Sequence, residues 1–556
     1  MKTSTITTFA GLALASSLHG QGIKTTEGSY LAATPSSDFT VEPLITVGDR
    51  VPVTPGTAPA GVSDFAFCGI PDAMGIYKDR VSGQNVLFVA HEIGNTSHSR
   101  PFPGQTRYKG AWVSRFVMSP DGGVVNGSVA HKELFLENTF QAANAPLEGD
   151  ATGFTRFCSG AFAGPEHGMD RPLFLTNEES SSGLYDVKGA QTVVIADGKM
   201  YTVPDLGRVT RETSVVQPRR DALTVIVSTE DGPATGNAVS YIYMYVGTKQ
   251  RRSTSVLDKN GLTDGKIYVL AGRDSHANEG TFTSGSLPTK WVEIVNGAAL
   301  TANQLSAAAD LAGGFGFVRT EDAEFDPNQP TRSLFVATTG GSGPNPLGRL
   351  YEVTFNPTNP TANGTLNVVY NASNVINPGG TYNGTPGKMA AVNGVTGSLG
   401  TYSGGGALGT GTDFPVSIDN IAVSGDFIVV CEDRNSPADA VFAFYGRNGG
   451  AWTLDRNNSY AAKLQTTFNY AYTEGRDGNA LGSNSRGQWE TSGVIASDAI
   501  FGAGTFVINV QAHPVNANYH RSNAPNGSGG SLSKAQAQSE FAEDGQVLIL
   551  RPKQPN

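Results

Sequence analysis

Between Val318 and Asp326 the chain reads Val-Arg-Thr-Glu-Asp-Ala-Glu-Phe-Asp, so Arg319, Glu321, Asp322, Glu324 and Asp326 fall within eight residues, shortly before the apolar run Leu334-Phe335-Val336-Ala337-Thr338. An apolar core does not accept charges of this density unpaired, so the stretch requires a metal, a ligand or open solvent. The pattern recurs. Short apolar runs end in acids at Phe88-Val89-Ala90-His91-Glu92, Phe174-Leu175-Thr176-Asn177-Glu178-Glu179, Ile226-Val227-Ser228-Thr229-Glu230-Asp231 and Ile428-Val429-Val430-Cys431-Glu432-Asp433. These endings predict equivalent positions in a repeating sheet, with the acids gathered at one end. Carboxylates are hard oxygen donors suited to Ca²⁺ or Mg²⁺, whereas a thiolate such as Cys158 biases a mixed site toward a transition metal. The forked guanidinium of Arg319 beside Glu321 suits a tetrahedral oxyanion. Metals and arginine both neutralise charge on a transferring phosphoryl group, which predicts phosphate ester chemistry.

The elements that must position these groups are strands. In 556 residues only 16% are charged and 69 are Gly, a composition of turns and short strands. Strands are expected near 86–90, 112–118, 172–177, 191–195, 222–228, 240–247, 266–271, 290–295, 333–338, 348–355, 366–370, 420–431, 440–445, 505–510 and 546–551. Few segments support a helix. The fold class predicted is all-β, and among propeller, sandwich pair and solenoid the β-propeller is favoured, because acids at matching strand ends need a geometry that converges them. Residues 1–20 read as an export signal, with Lys2 ahead of an apolar stretch over 6–18 and cleavage near Ala13-Leu14-Ala15 or Gly20-Gln21. Residues 21–59 read as an extended lead-in. Residues 60–556 read as one β-propeller domain with long loop insertions near 371–412 and 519–537, its last strand closing the ring against the first blade.

A net charge of −10 lacks the basic footprint of nucleic-acid or anionic-membrane binding. After residue 20 no apolar run approaches a membrane span, so a secreted or periplasmic monomer is expected. Three cysteines, Cys68, Cys158 and Cys431, allow one disulfide at most and leave a thiol over. Gly404, Gly406 and Gly409 match GxGxxG by letter but lack the flanking strand and helix of a dinucleotide site. His91-Glu92 has no second histidine, no EF-hand loop is present, and no Ser stands in a nucleophile elbow.

Phe157-Cys158-Ser159-Gly160, followed by Leu173-Phe174-Leu175-Thr176-Asn177-Glu178-Glu179, resembles the Cys-x-Gly and Thr-Cys-Glu-Glu segments of PhoX-type secreted alkaline phosphatases. In the same order come Arg319-Thr320-Glu321-Asp322, Asn345-Pro346-Leu347-Gly348, Ser417-Ile418-Asp419-Asn420 and Asn509-Val510-Gln511-Ala512-His513-Pro514, and Val89-Ala90-His91-Glu92 precedes them. The resemblance implies a six-bladed propeller whose channel holds Ca²⁺ and Fe³⁺ and cleaves small-molecule phosphate esters without a covalent protein nucleophile. It implies Cys158 as the iron thiolate, Glu178 and Glu321 as metal ligands, Asp419 as a calcium ligand, and Arg319 with Glu321 as the catalytic pair, Arg319 holding the phosphate. Ser240 stands where the family has an acid before its Tyr-Ile-Tyr strand, so Glu230 or Asp231 is expected to substitute. The interval from Cys158 to Glu178 is longer than in the family, and Ala512 separates the late Gln and His. The function expected is a secreted metal-dependent phosphomonoesterase. The alternatives are a non-catalytic, calcium-stabilised propeller that binds glycan or protein, and a propeller lactonase.

Overall fold

Runs such as Val86-Leu87-Phe88-Val89 and Val225-Ile226-Val227 form strands buried on both faces, as expected of a sheet packed between two others. A computed structural model describes residues 22–233, 239–274, 277–373, 413–435, 438, 441–442, 447–469, 489–513 and 539–554. Its strands make six blades around a channel, antiparallel except where Glu133–Leu136 runs parallel to Lys199–Thr202 at the rim of blade two. The inner strands are Pro71–Lys78, Phe157–Ala163, Arg211–Val216, Thr320–Phe325, Ile418–Val423 and Trp489–Ala496. Each packs on the next, and the sixth packs back on the first, closing the ring. Next to each lies a second strand: Asn85–His91, Leu173–Glu178, Leu223–Glu230, Ser333–Thr338, Phe427–Glu432 and Phe506–Ala512. Blades three and four are joined at their rims, because Ser286–Ile294 pairs with an outer strand of each.

The apolar side chains lie between blades, in clusters of which one joins blades five, six and one and another blades two and three. The extended lead-in contributes strands to the blades. Leu31–Ala33 extends blade five, Phe39–Thr46 is a strand of blade six, and Ile23 bridges to Val124 in blade one. Asp544–Pro552 therefore closes the ring within blade six, between Phe506–Ala512 and Phe39–Thr46, and not against blade one.

Other expectations need correction. The run 420–431 is a hairpin, Ile418–Val423 and Phe427–Glu432, turned at Ser424 to Asp426. Val441 and Phe442, expected within a strand, are helical. A ten-residue helix, Ala302–Leu311, is capped by Thr301 and Gln304, the reciprocal signal that Thr-x-x-Gln carries. The insertion near 519–537, the export signal, the glycine motif at 404–409 and 374–412 of the other insertion lie outside the described residues. All three cysteines are free.

Each inner strand carries a bulge at the same height. The register slips between Pro71 and Met74, Phe157 and Gly160, Arg211 and Ser214, Thr320 and Ala323, Ile418 and Ile421, and Thr491 and Val494. A bulge sets two residues against one and re-aims a side chain. Repeated six times around one axis, it builds a site.

Candidate metal centre

The first residue of each bulge forms a ring at one end of the channel: Asp72, Cys158, Glu212, Glu321 and Asp419, with Ser492 in sixth place. Just beyond the residue that pairs with each strand entry, the second strands contribute a further ring of Glu92, Glu179, Asp231, Thr339, Asp433 and Gln511. The acid-ended apolar runs are thus second strands, while Glu321 and Asp322 lie on an inner one.

Strand alternation decides which acid of each pair faces the channel. Glu178 and Glu230, both expected as ligands, do not line the cavity; each precedes the residue that does and turns into its blade. Glu178 Oε1 accepts the N–H groups of Thr155 and Tyr185, at 3.2 and 3.1 Å. Glu230 accepts the Tyr241 N–H at 3.1 Å and the Tyr243 hydroxyl at 3.4 Å. Glu432, the equivalent in blade five, is held by Arg447 at 2.7 Å. Their sequence neighbours Glu179, Asp231 and Asp433 occupy the channel.

The resulting cavity has a volume of 320 Å³ and is lined by nine carboxylates, two arginines, one histidine and the Cys158 thiol. Three overlapping triads have ligand atoms within 4.8 Å of one another: Asp72, Glu92 and Cys158; Cys158, Glu179 and Glu212; Glu212, Asp231 and Glu321. The Cys158 thiol donates to Asp72 Oδ2 at 3.1 Å, and the Thr339 hydroxyl donates to Glu321. Burial, with repulsion from neighbouring acids, pushes the Asp72 and Glu321 carboxyls up to about 8. It also raises Glu179, Glu212 and Asp419 well above the usual carboxylate range. Burial works against ionisation of Glu92 and Asp231 too, but Arg156 holds the first low and Arg319 the second. Asp419 Oδ1 is buried without a hydrogen-bond partner. Oxygen donors that crowd and repel one another, with a buried acceptor left over, fit hard cations, and the thiol adds one soft donor.

Beneath the acids, Ser159 of blade two accepts a 3.0 Å hydrogen bond from Asn420 Nδ2 of blade five. These blades are opposite one another, so side chains cross the channel below the cluster. At the mouth, Arg156 and Arg319 each precede an inner strand with a left-handed backbone, φ 49 and 52. Arg319 Nε and Nη2 reach Asp231 at 2.8 and 3.0 Å, and Nη2 lies 3.4 Å from Glu321. Gln511 Nε2 donates to Asp72 and Glu92 at 3.1 and 3.0 Å. His513 pairs with Glu543 at 2.5 Å and Glu490 at 3.5 Å. Burial opposes its proton, yet the two acids lift its pKa well above that of free imidazole.

Of the residues singled out by sequence, the fold brings Cys158, Asp231, Arg319, Glu321 and Asp419 together and sets Glu178 and Glu230 aside. Glu92, Glu179, Asp433 and His513 lay inside quoted motifs without being chosen, and Asp72 lay outside every one of them. Glu212 and Glu490 had no signal beyond a lone acid among Thr, Trp and Arg; only alignment of the six bulges finds the first.

No protein-family model matches this chain, and no curated protein matches it by sequence. Among solved structures it is similar to Pseudomonas fluorescens PhoX in complex with vanadate, a transition state analogue. That likeness has 14% identity and a TM-score of 0.58 and spans 96% of this chain and 97% of that one, and it is a likeness of fold. An α-L-arabinofuranosidase from Fusarium graminearum (10% identity, 93% and 98% coverage, TM-score 0.36) is more distant in fold. So is the soluble aldose sugar dehydrogenase of Escherichia coli (10%, 87% and 97%, TM-score 0.31).

Proposed function

We propose that this chain is an exported, metal-dependent phosphomonoesterase acting on small-molecule phosphate esters. The observation that carries the reading is the imbalance of the cavity: nine carboxylates and a thiol against two arginines and one histidine. Such a cluster is held together by cations. The fold neighbour is described with vanadate, which mimics a phosphoryl group in transfer. On this reading Glu212, Asp231 and Glu321 hold one cation, Cys158 with Glu179 and Glu212 a second, and Asp72, Glu92 and Cys158 a third, with Asp419 supplying a further oxygen. Ca²⁺ suits the all-oxygen triad and Fe³⁺ the Cys158 sulfur. Bound metals supply charge neutralisation and a lowered pKa for coordinated water.

The chain's own residues orient and neutralise. Arg319, fixed by Asp231 along its Nε and Nη2 edge, presents its remaining donors to the phosphoryl oxygens. Glu321 and Asp231 set the guanidinium's angle and hold metal at once. The Ser159–Asn420 contact keeps the reacting ester at the mouth. No helix among the described residues is long and apolar enough to cross a membrane; export rests on Lys2 and the apolar stretch over 6–18. The test is metal analysis of protein purified without chelator, coupled to hydrolysis of p-nitrophenyl phosphate with and without added Ca²⁺. Bound metal and calcium-dependent turnover are expected. A protein with neither metal nor turnover would falsify the proposal.

A further inference from the structure

Arg319 has a counterpart. Arg156 stands at the same place in the propeller's internal repeat, the residue before an inner strand, and shares its left-handed backbone. In blades one and five that position is Ile70 and Ser417, also left-handed, with φ 52 and 51. Four of the six blades therefore share the backbone conformation, whereas the guanidinium is particular to blades two and four. Both arginines spend the same edge on second-ring acids. Arg156 Nε donates to Glu92 Oε1 at 2.8 Å and its Nη2 pairs with Glu179; Arg319 Nε and Nη2 pair with Asp231. Neither Nη1 has a hydrogen-bond partner among the described residues.

Exposure sets the two apart from the acids they bind. The Arg156 and Arg319 side chains are 47% and 33% exposed, whereas those of Glu92, Glu179 and Asp231 are 11%, 6% and 9% exposed. A solute at the mouth therefore meets guanidinium first. Two fixed cations inside a cluster that binds metals also repel those metals. That cost is offset when an anion binds between arginines and metals.

The geometry points to Arg156 and Arg319 as two jaws of one clamp, gripping different non-bridging oxygens of a tetrahedral dianion through their Nη1 groups. Arg156 then selects dianionic phosphate monoesters over monoanionic diesters, in which a second ester group replaces one of those oxygens. The inference rests on the phosphate reading above for its ligand class, and extends it to specificity.

The experiment measures inorganic phosphate binding to the metal-replete protein by calorimetry, alongside turnover of p-nitrophenyl phosphate and bis(p-nitrophenyl) phosphate. Loss of one charge-assisted contact in R156Q is expected to weaken phosphate binding about ten- to a hundredfold, with metal content and Tm held. Turnover of the monoester should fall more than that of the diester. R156K, which keeps the charge without the fork, should recover part of the loss, and it carries the test if R156Q does not fold. Phosphate affinity unchanged in R156Q and R156K, no phosphate binding by the wild type, or a loss that tracks lost metal would each overturn the clamp. Arginine-dependent phosphate binding without cleavage of any ester would leave the clamp standing and remove the phosphatase reading.

Discussion

Removing the metals should make the stability of this protein fall as pH rises from about 5 to 8, the reverse of ordinary acid denaturation. Burial and mutual repulsion push Asp72 and Glu321 from ordinary values of 3.8 and 4.5 up to about 8 when no cation is present. Through that window the folded, metal-free protein keeps protons that the unfolded chain has released. Stability is therefore retained at the acid end and lost as pH climbs. At about 1.4 kcal/mol per pH unit, either group alone costs on the order of 5 kcal/mol once ionised. Both belong to one set of repelling acids, so their costs do not add, and a total of that order is expected. With an unfolding entropy of about 2.1 cal/mol/K per residue, this lowers Tm by roughly 5 °C. His513, whose proton is held by Glu490 and Glu543, acts in the same direction. Glu92 and Asp231, held low by arginine against the effect of burial, act in the opposite sense only below the ordinary carboxylate range. The assay is scanning calorimetry of chelator-treated protein at pH 5 to 9, with and without millimolar Ca²⁺. Calcium should abolish the decline, and Glu321→Gln should raise the metal-free Tm at pH 8 while shrinking the gain from calcium. A metal-free Tm that stays flat or rises between pH 5 and 8 would refute the reasoning.

Adjacent glutamates separate the channel from the blade. Glu179→Gln should lower metal content and phosphatase turnover by about a hundredfold or more without lowering the Tm of the metal-free protein. Glu178→Leu should keep its metals and lose about 1–3 kcal/mol in chemical denaturation, because Glu178 Oε1 accepts two backbone N–H groups that leucine leaves unpaired; equal metal loss in both would contradict the alternation. Cys158→Ser should retain calcium and lose iron in elemental analysis, and unchanged iron would remove the thiolate from the site. Arg447→Met strands Glu432 and Asp413, which it holds at 2.7 and 2.6 Å. It should therefore cost about 3–5 kcal/mol of stability without altering metal content; a neutral result would show that the triad does not stiffen blade five.

Second strands were legible in the sequence because they are sandwiched between blades and written in Val, Ile, Leu and Phe. Inner strands were harder to read. Phe157–Ala163 and Arg211–Val216 line a narrow channel, so small and polar residues such as Ser159, Gly160 and Thr213 break both the apolar run and the alternation that mark a strand. The helix Ala302–Leu311 carried a capping signal within a segment too short in apolar residues to stand out.

Residue chemistry alone determined the composition of the site: acids at strand ends, one thiol and an arginine, in an all-β chain. Tertiary structure decided membership. Glu178 and Glu179 are equal as letters, and the half-turn between successive side chains of a strand separates them only once the pairing of Phe157 with Glu178 sets which face meets the axis. Glu212 and Asp72 joined the cluster because six bulges at one height aim their residues at a common point, a coincidence of register between segments hundreds of residues apart that no local pattern encodes.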